Sequence, residues 1–412
     1  MESMKFKYQC TDCGKEYGTS SLMYLCPSCS AGNDPSTPPK GVLKTLYDYG
    51  EIGKAISGFT DLKKNGFIQL LPIESIKSFP PLRIGDTPLY QLAELDSQKL
   101  SYSVCLKDDS QNPTWSFKDR ASALVSAYAR ENRLETIIAA STGNAGSSLA
   151  GICASQRQKA VIIVPETAPQ AKLTQIIMYG AAIVPVKGTY DEAFDLSVKA
   201  TKEFGWYNRN TAFNPLTIEG KKTVSFEIYE QLNCRVPDRI FIPAGDGVIT
   251  SGVYKGFEDL LLLKITDRMP VIVAVQSEKS DNLVRNISRD DFMVIPSSTL
   301  ADSISVNVPR NFFMTRNFIQ KYKGETLTVS DEEILNASKL LAGNTGLFAE
   351  PAAAAAFAGF LSYRKNDRIP ADSLNVVLLT GSGLKDLRSV SSLLKMPSSI
   401  YPSIDNLMRV LQ

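Results

Sequence analysis

Asn112-Pro113-Thr114-Trp115-Ser116-Phe117-Lys118-Asp119-Arg120 sets one lysine among polar and aromatic neighbours. The charged run Lys107-Asp108-Asp109 precedes it and reads as a loop, and an apolar, Ala-rich helical pattern begins near Ala121. A lysine amine is a weak nucleophile while protonated and a good one once desolvation or nearby cations lower its pKa. Read alone, Lys118 is as well explained as a surface lysine at a helix start. Two segments further along the chain decide between the readings.

The first is Glu135-Thr136-Ile137-Ile138-Ala139-Ala140, an apolar run of strand length, followed by Ser141-Thr142-Gly143-Asn144-Ala145-Gly146 and a helix of small residues. A strand, a polar glycine turn and a helix gather backbone N–H groups and hydroxyls at a helix N-terminus, which attracts an anion such as a carboxylate. Asn144 adds a side-chain donor. The second is Asp238-Arg239-Ile240-Phe241-Ile242-Pro243, followed by Ala244-Gly245-Asp246-Gly247-Val248-Ile249 and another helical pattern. That loop can wrap a phosphate with backbone N–H groups. Each turn alone also serves close strand–helix packing. One lysine with two such turns suits pyridoxal 5'-phosphate (PLP), carried as a Schiff base on Lys118 with the ring as electron sink.

The segments NPTWSFKDR, STGNAG, NPLTIEGKKT (Asn214 to Thr223), PAGDG, AEPAAAA (from Ala349) and TGSGLKD (Thr380 to Asp386) occur in the order found in threonine synthases, and the chain resembles that family of fold-type-II PLP enzymes across roughly residues 85–390. The resemblance implies an α/β fold of two open, mostly parallel sheets with helices on both faces. It implies Lys118 as the catalytic Schiff-base lysine, and Phe117, Asn144, Gly245, Asp246, Gly247, Val248, Ile249 and Thr380 as cofactor contacts. Ser141, Thr142 and Ala145 would hold the substrate carboxylate. The implied reaction is a lyase reaction converting O-phosphohomoserine and water to threonine and phosphate. The alternative is β-elimination or β-replacement on another amino acid, as in serine/threonine dehydratases or cysteate-synthase-like enzymes. The implied partner is a small amino acid, and the common oligomer of such enzymes is a homodimer. Glu350, ahead of Pro351, reads either as a charge near the cofactor ring or as a carboxylate at a helix N-terminus, the second being preferred.

The chain departs from the family at three positions. Trp115 stands where a small residue is usual, which predicts a narrowed cleft beside the lysine. Thr217, three residues after Asn214, and Ser305 stand where arginines are expected for the substrate's phosphate. A phosphate dianion without guanidinium partners loses strong bidentate hydrogen bonds. Lys221, Lys222, Arg209 and Arg310 are the candidates to supply that charge.

The 412 residues contain no histidine, which excludes Ser-His-Asp and Cys-His nucleophilic systems and histidine-ligated catalytic metals. Proton transfer then falls to lysine, carboxylates, tyrosine, water or the cofactor. With 43% apolar residues and a net charge of +2, the chain can bury a large core and shows no electrostatic preference for nucleic acid or a membrane surface. No apolar run approaches a membrane span, and the polar start Met1-Glu2-Ser3-Met4-Lys5-Phe6 is unlike a signal peptide, so a cytoplasmic enzyme is expected.

Of seven cysteines, Cys10-x2-Cys13 and Cys26-x2-Cys29 form a four-thiolate pattern with twelve residues between the pairs. That spacing suits tetrahedral zinc in a closed, structural site; two disulfides, or iron in a rubredoxin-like site, are the alternatives. Cys105, Cys153 and Cys234 read as core thiols. The expected organisation is a zinc-ribbon-like segment over 1–35, a small α/β domain over 121–214, and a large PLP-binding domain from 36–120 together with 215–412. Alternating patterns predict strands at 136–140, 160–164, 182–186, 239–243, 271–276 and 375–379, with a hairpin near 87–90 and 101–104.

Overall fold

The computed structural model describes residues 5–168, 170–394 and 397–411. The cysteine-bearing N-terminal segment forms a three-stranded antiparallel sheet of β1 (Phe6–Cys10), β2 (Glu16–Tyr17) and β3 (Leu43–Tyr47), ordered β2-β1-β3. Its third strand comes from beyond residue 35. Tyr47 thereby leads from the cysteines directly into the main body of the protein.

The hairpin of β4 (Leu89–Leu95) and β5 (Gln98–Asp108) is longer than its sequence signal. Lys107 and Asp108 close β5 as buried residues, correcting the expectation of a charged loop there. They tolerate burial because acceptors and donors surround them. Lys107 donates to the Thr87 carbonyl (2.6 Å), Glu227 (2.8 Å) and Gln231 (2.9 Å), and Asp108 accepts from Ser110 (2.6 Å).

Strands β6 (Thr136–Ala140), β7 (Lys159–Pro165), β8 (Ala182–Val186) and β9 (Tyr207–Asn208) form a parallel sheet ordered β8-β7-β6-β9. Strands β10 (Arg239–Pro243), β11 (Val271–Ser277), β12 (Glu325–Val329) and β13 (Leu374–Leu379) join the hairpin in a six-stranded sheet ordered β12-β11-β10-β13-β5-β4, parallel except for β4. Continuous apolar runs make these strands because helices cover both faces. In β13, Leu374, Val376 and Leu378 enter one core cluster while Val377 and Leu379 enter another. Ile272 and Ala274 of β11 divide from Val273 and Val275 in the same way. The two-open-sheet α/β architecture expected from the sequence is present. Among the described residues no helix is long and apolar enough to cross a membrane.

Candidate active site

Lys118 opens the helix Lys118–Glu131, and its neighbours in the motif fix where it points. Asp119 turns back to accept from the Thr114 amide (2.7 Å) and hydroxyl (2.5 Å). Arg120 is buried between Asp109 (2.6 Å) and Glu227 (2.6 Å). The Phe117 amide donates to the Thr380 carbonyl (2.9 Å) and the Ser382 amide to the Trp115 carbonyl (3.1 Å), lacing the segment to the end of β13. With both flanking charges anchored inward, the Lys118 side chain is left to line a cavity of about 420 Å³ at the carboxyl ends of β6, β10 and β13. Burial pushes its ammonium below the ordinary lysine range; Glu350 and Asp246 oppose that shift and Arg209 adds to it. This is the electrostatic setting of a lysine nucleophile.

The two glycine turns reach the same cavity. Ser141, Thr142, Asn144 and Ala145 line it at the start of the helix Asn144–Gln156, whose first amides, at Asn144 and Ala145, carry no hydrogen bond among the described residues. Gly245, Asp246, Gly247, Val248 and Ile249 line it at the start of the helix Val248–Leu262. That helix also has no side-chain cap, and its opening amides at Val248 and Ile249 are unpartnered among the described residues. Asp246 is engaged elsewhere: its carboxylate accepts from the Arg310 amide (3.1 Å) and its carbonyl from the Asn311 amide (3.0 Å), which shapes the loop. Gly247 sits at φ +88°, and a Cβ there would collide with the Thr315 hydroxyl, so the turn requires glycine. Two uncapped helix N-termini facing one lysine offer separate seats for two anionic groups.

Thr380 lines the cavity at the end of β13. Glu350 does too, from the helix N-terminus the sequence assigns it. It precedes the helix Pro351–Lys365 but makes no cap; its carboxylate turns into the cleft and accepts from Asn144 Nδ2 at 3.0 Å through both oxygens. Burial raises its pKa, with Asn144 and Lys118 opposing. A Cβ on Gly381 would lie 2.5 Å from Glu350 Oε1, so the glycine after Thr380 makes room for this carboxylate.

Phe117 does not line the cavity. Its ring is fully buried in the core, with the Arg120 guanidinium 5.8 Å from it. Trp115 is 54% exposed at φ +62° and lines an adjoining cavity with Leu384 and Lys385. It is not among the residues that line the cavity at Lys118. Thr217 is buried, its hydroxyl donating to the Asn214 carbonyl (2.8 Å), and is not among the residues lining the cavity. Ser305 lines it, as do Tyr190, Arg209, Lys221 and Arg310. Tyr190 had no sequence signal; its place depends on how the helix Tyr190–Phe204 packs.

The cysteines form a second centre. The sulfurs of Cys10, Cys13, Cys26 and Cys29 all lie within 4.8 Å of one another, and all four are free thiols. This four-sulfur set can hold a metal ion. Tyr17 Oη sits 3.0 Å from Cys26 Sγ.

The cleft meets the physical demands of PLP: a desolvated lysine, a glycine-shaped loop opening a helix, and buried polar groups between them. Residues 81–381 match the family model described as pyridoxal-phosphate dependent enzyme. The chain is 32% identical to a threonine synthase of Methanocaldococcus jannaschii over 412 residues, covering 98% of this chain and 99% of that one. It is 33% identical to a threonine synthase of Halalkalibacterium halodurans over 81% of this chain and 92% of the relative. Among solved structures, a threonine deaminase from T.th. superposes with a TM-score of 0.62 at 26% identity, covering 72% of this chain and 92% of that one. Fold, cleft and end-to-end similarity converge: the chain belongs to the pyridoxal-phosphate dependent enzyme family, in its threonine synthase branch.

Proposed function

We propose that this protein converts O-phosphohomoserine and water to threonine and inorganic phosphate. The observation that carries the reading is the Lys118 amine facing two uncapped helix N-termini across one cavity, in a chain similar to threonine synthases along its whole length. PLP, when bound, supplies the electron sink that makes the α- and β-protons of an amino acid removable. Lys118 holds it through the side-chain amine. Gly245, Asp246, Gly247, Val248 and Ile249 cradle its phosphate.

The chain's own groups then perform the rest. Ser141, Thr142 and Ala145 hold the substrate carboxylate at the start of the helix Asn144–Gln156, which orients Cα toward Lys118. The Lys118 amine, kept below its ordinary pKa by burial, accepts a proton from Cα and returns one later. Loss of a further proton from Cβ allows the γ-phosphate to leave, and water adds its hydroxyl at Cβ while Cγ gains a proton. Glu350 orients Asn144 by accepting from its amide. Asn144 and Thr380, which line the cavity, would meet the ring, and a hydroxyl rather than a carboxylate at Thr380 would favour an unprotonated ring nitrogen and so a weaker electron sink. The cysteine cluster holds a structural zinc ion whose four thiolates leave no open position for substrate.

A parallel assay of phosphate, threonine and ammonia tests this. O-phosphohomoserine is expected to yield phosphate and threonine in equal amounts. Ammonia and a keto acid from serine or threonine, with no threonine from O-phosphohomoserine, would assign the chain to the dehydratases instead.

A further inference from the structure

Lys221 ends the helix Leu216–Lys221, and its side chain is fully buried. Its Nζ has no hydrogen-bond partner and no ion pair among the described residues. Other fully buried lysines are satisfied. Lys107 has three acceptors, Lys222 pairs with Glu219 and with Asp259 (2.7 Å), and Lys255 pairs with Asp259. A desolvated ammonium without an acceptor is a costly arrangement in a folded protein, and an anion entering the adjacent space would relieve it.

The adjacent space is the cleft. Lys221 lines the cavity, and its stem runs against the second turn of the helix Val248–Leu262, where a Cβ on Gly252 would come within 2.8 Å of Lys221 Cβ. Arg209 lines the same cavity, is fully buried and makes no ion pair among the described residues; its nitrogens donate to Ser122 (3.1 Å), Thr211 (2.9 Å) and the Lys118 carbonyl (3.5 Å). Arg310, by contrast, is already paired with Asp191 (2.6 Å) and stacked over Phe194, and Lys222 lies over the Tyr47 ring inside its own ion network. Of the four candidate cations, two are thus committed elsewhere and two face the cleft without a carboxylate.

We propose that Lys221, together with Arg209, is a buried seat for a phosphate monoester dianion in this cleft, replacing the guanidinium that Thr217 cannot supply. Thr217 and Lys221 lie one helical turn apart on the same helix, the first packed inward and the second lining the cavity. The cofactor's 5'-phosphate and the substrate's γ-phosphate share the chemistry this seat recognises; the proposal rests on the functional reading above only for naming those two esters. Burial and the nearby Arg209 and Lys118 disfavour the charged form of Lys221, and a bound dianion favours it, so proton uptake on binding would report this amine.

The test uses the full-length, PLP-loaded protein with Lys221→Met and, as a polar alternative should that variant fold poorly, Lys221→Gln. Inorganic phosphate is titrated by calorimetry in two buffers of different ionisation enthalpy, and retention of PLP is compared with that of unphosphorylated pyridoxal. Weaker inorganic phosphate binding by tenfold or more, with loss of the wild-type proton uptake and unchanged PLP retention, assigns the seat to the substrate's phosphate. Tenfold faster loss of PLP, with pyridoxal unaffected, assigns it to the cofactor's phosphate. Phosphate affinity and PLP retention both within twofold of wild type in a folded variant would overturn the proposal. Failure of the functional reading would show separately, as a wild-type protein that makes no threonine, and would leave these binding constants standing.

Discussion

On one side of the helix Leu216–Lys221 lies a network of buried charges; on the other lies the cleft. Glu219, Lys222, Asp259 and Lys255 compensate one another in the first region, with the Tyr47 hydroxyl donating to Glu219 (2.6 Å) and the Tyr49 hydroxyl to Asp259 (2.6 Å). In the second, Lys118, Lys221 and Arg209 face a cavity without a carboxylate in ion-pair contact among the described residues. Lys221 and Lys222 are consecutive in the chain and both fully buried, yet Lys222 is paired within the fold and Lys221 has no partner among the described residues. The difference teaches that burial alone does not separate a structural charge from a functional one. What separates them is whether the protein itself supplies the counter-charge.

The comparison can be broken by substitution. Lys118→Ala removes the nucleophile of the cleft and should leave no measurable threonine formation while the melting transition is retained. Lys222→Met removes one of the two cations that face Glu219 and Asp259 and leaves Lys255 alone with both carboxylates; breaking a buried pair in this way typically costs about 3–5 kcal/mol, read as a lower urea midpoint. If Lys222→Met melted like wild type, the network would not be the structural element described.

Smaller effects sharpen the contrast. Thr217→Arg forces a long side chain into a packed site, and overpacking of this kind costs about 1–3 kcal/mol; affinity for O-phosphohomoserine is expected to stay level or worsen. A clear gain in affinity would show that the guanidinium reaches the cleft after all. Lys221→Met should move stability in the opposite sense to Lys222→Met, staying within about 1 kcal/mol of wild type on the stabilising side, because it removes a desolvated amine that has no partner. Equal losses in the two urea melts would erase the distinction between the two lysines.

Much of this was legible in the sequence where apolar runs of strand length end in glycine turns, because strands buried on both faces and turns that need backbone freedom leave strong local signals. The positions of β6, β10 and β13 and of both cleft loops follow from them. Side-chain direction did not follow. Glu350 sits where a capping carboxylate is usual, yet it turns into the cleft to accept from Asn144, with Gly381 leaving room for it. Phe117 and Lys118 are adjacent, and which of them meets the cavity depends on the anchoring of Asp119 and Arg120 by residues distant in the chain. Lys107 resembled a loop residue because two of its acceptors, Glu227 and Gln231, lie more than a hundred residues away in the chain.

The central claim is that Lys118 is the amine the cleft presents to PLP. Reduction of the holoprotein with borohydride, followed by peptide mapping, tests it most directly. The label is expected on Lys118, and in protein stripped of PLP the rate of cofactor capture should rise with pH and level off below the ordinary lysine value, since burial lowers this amine's pKa. A pyridoxyl group recovered on Lys221 or on any other lysine would contradict the account.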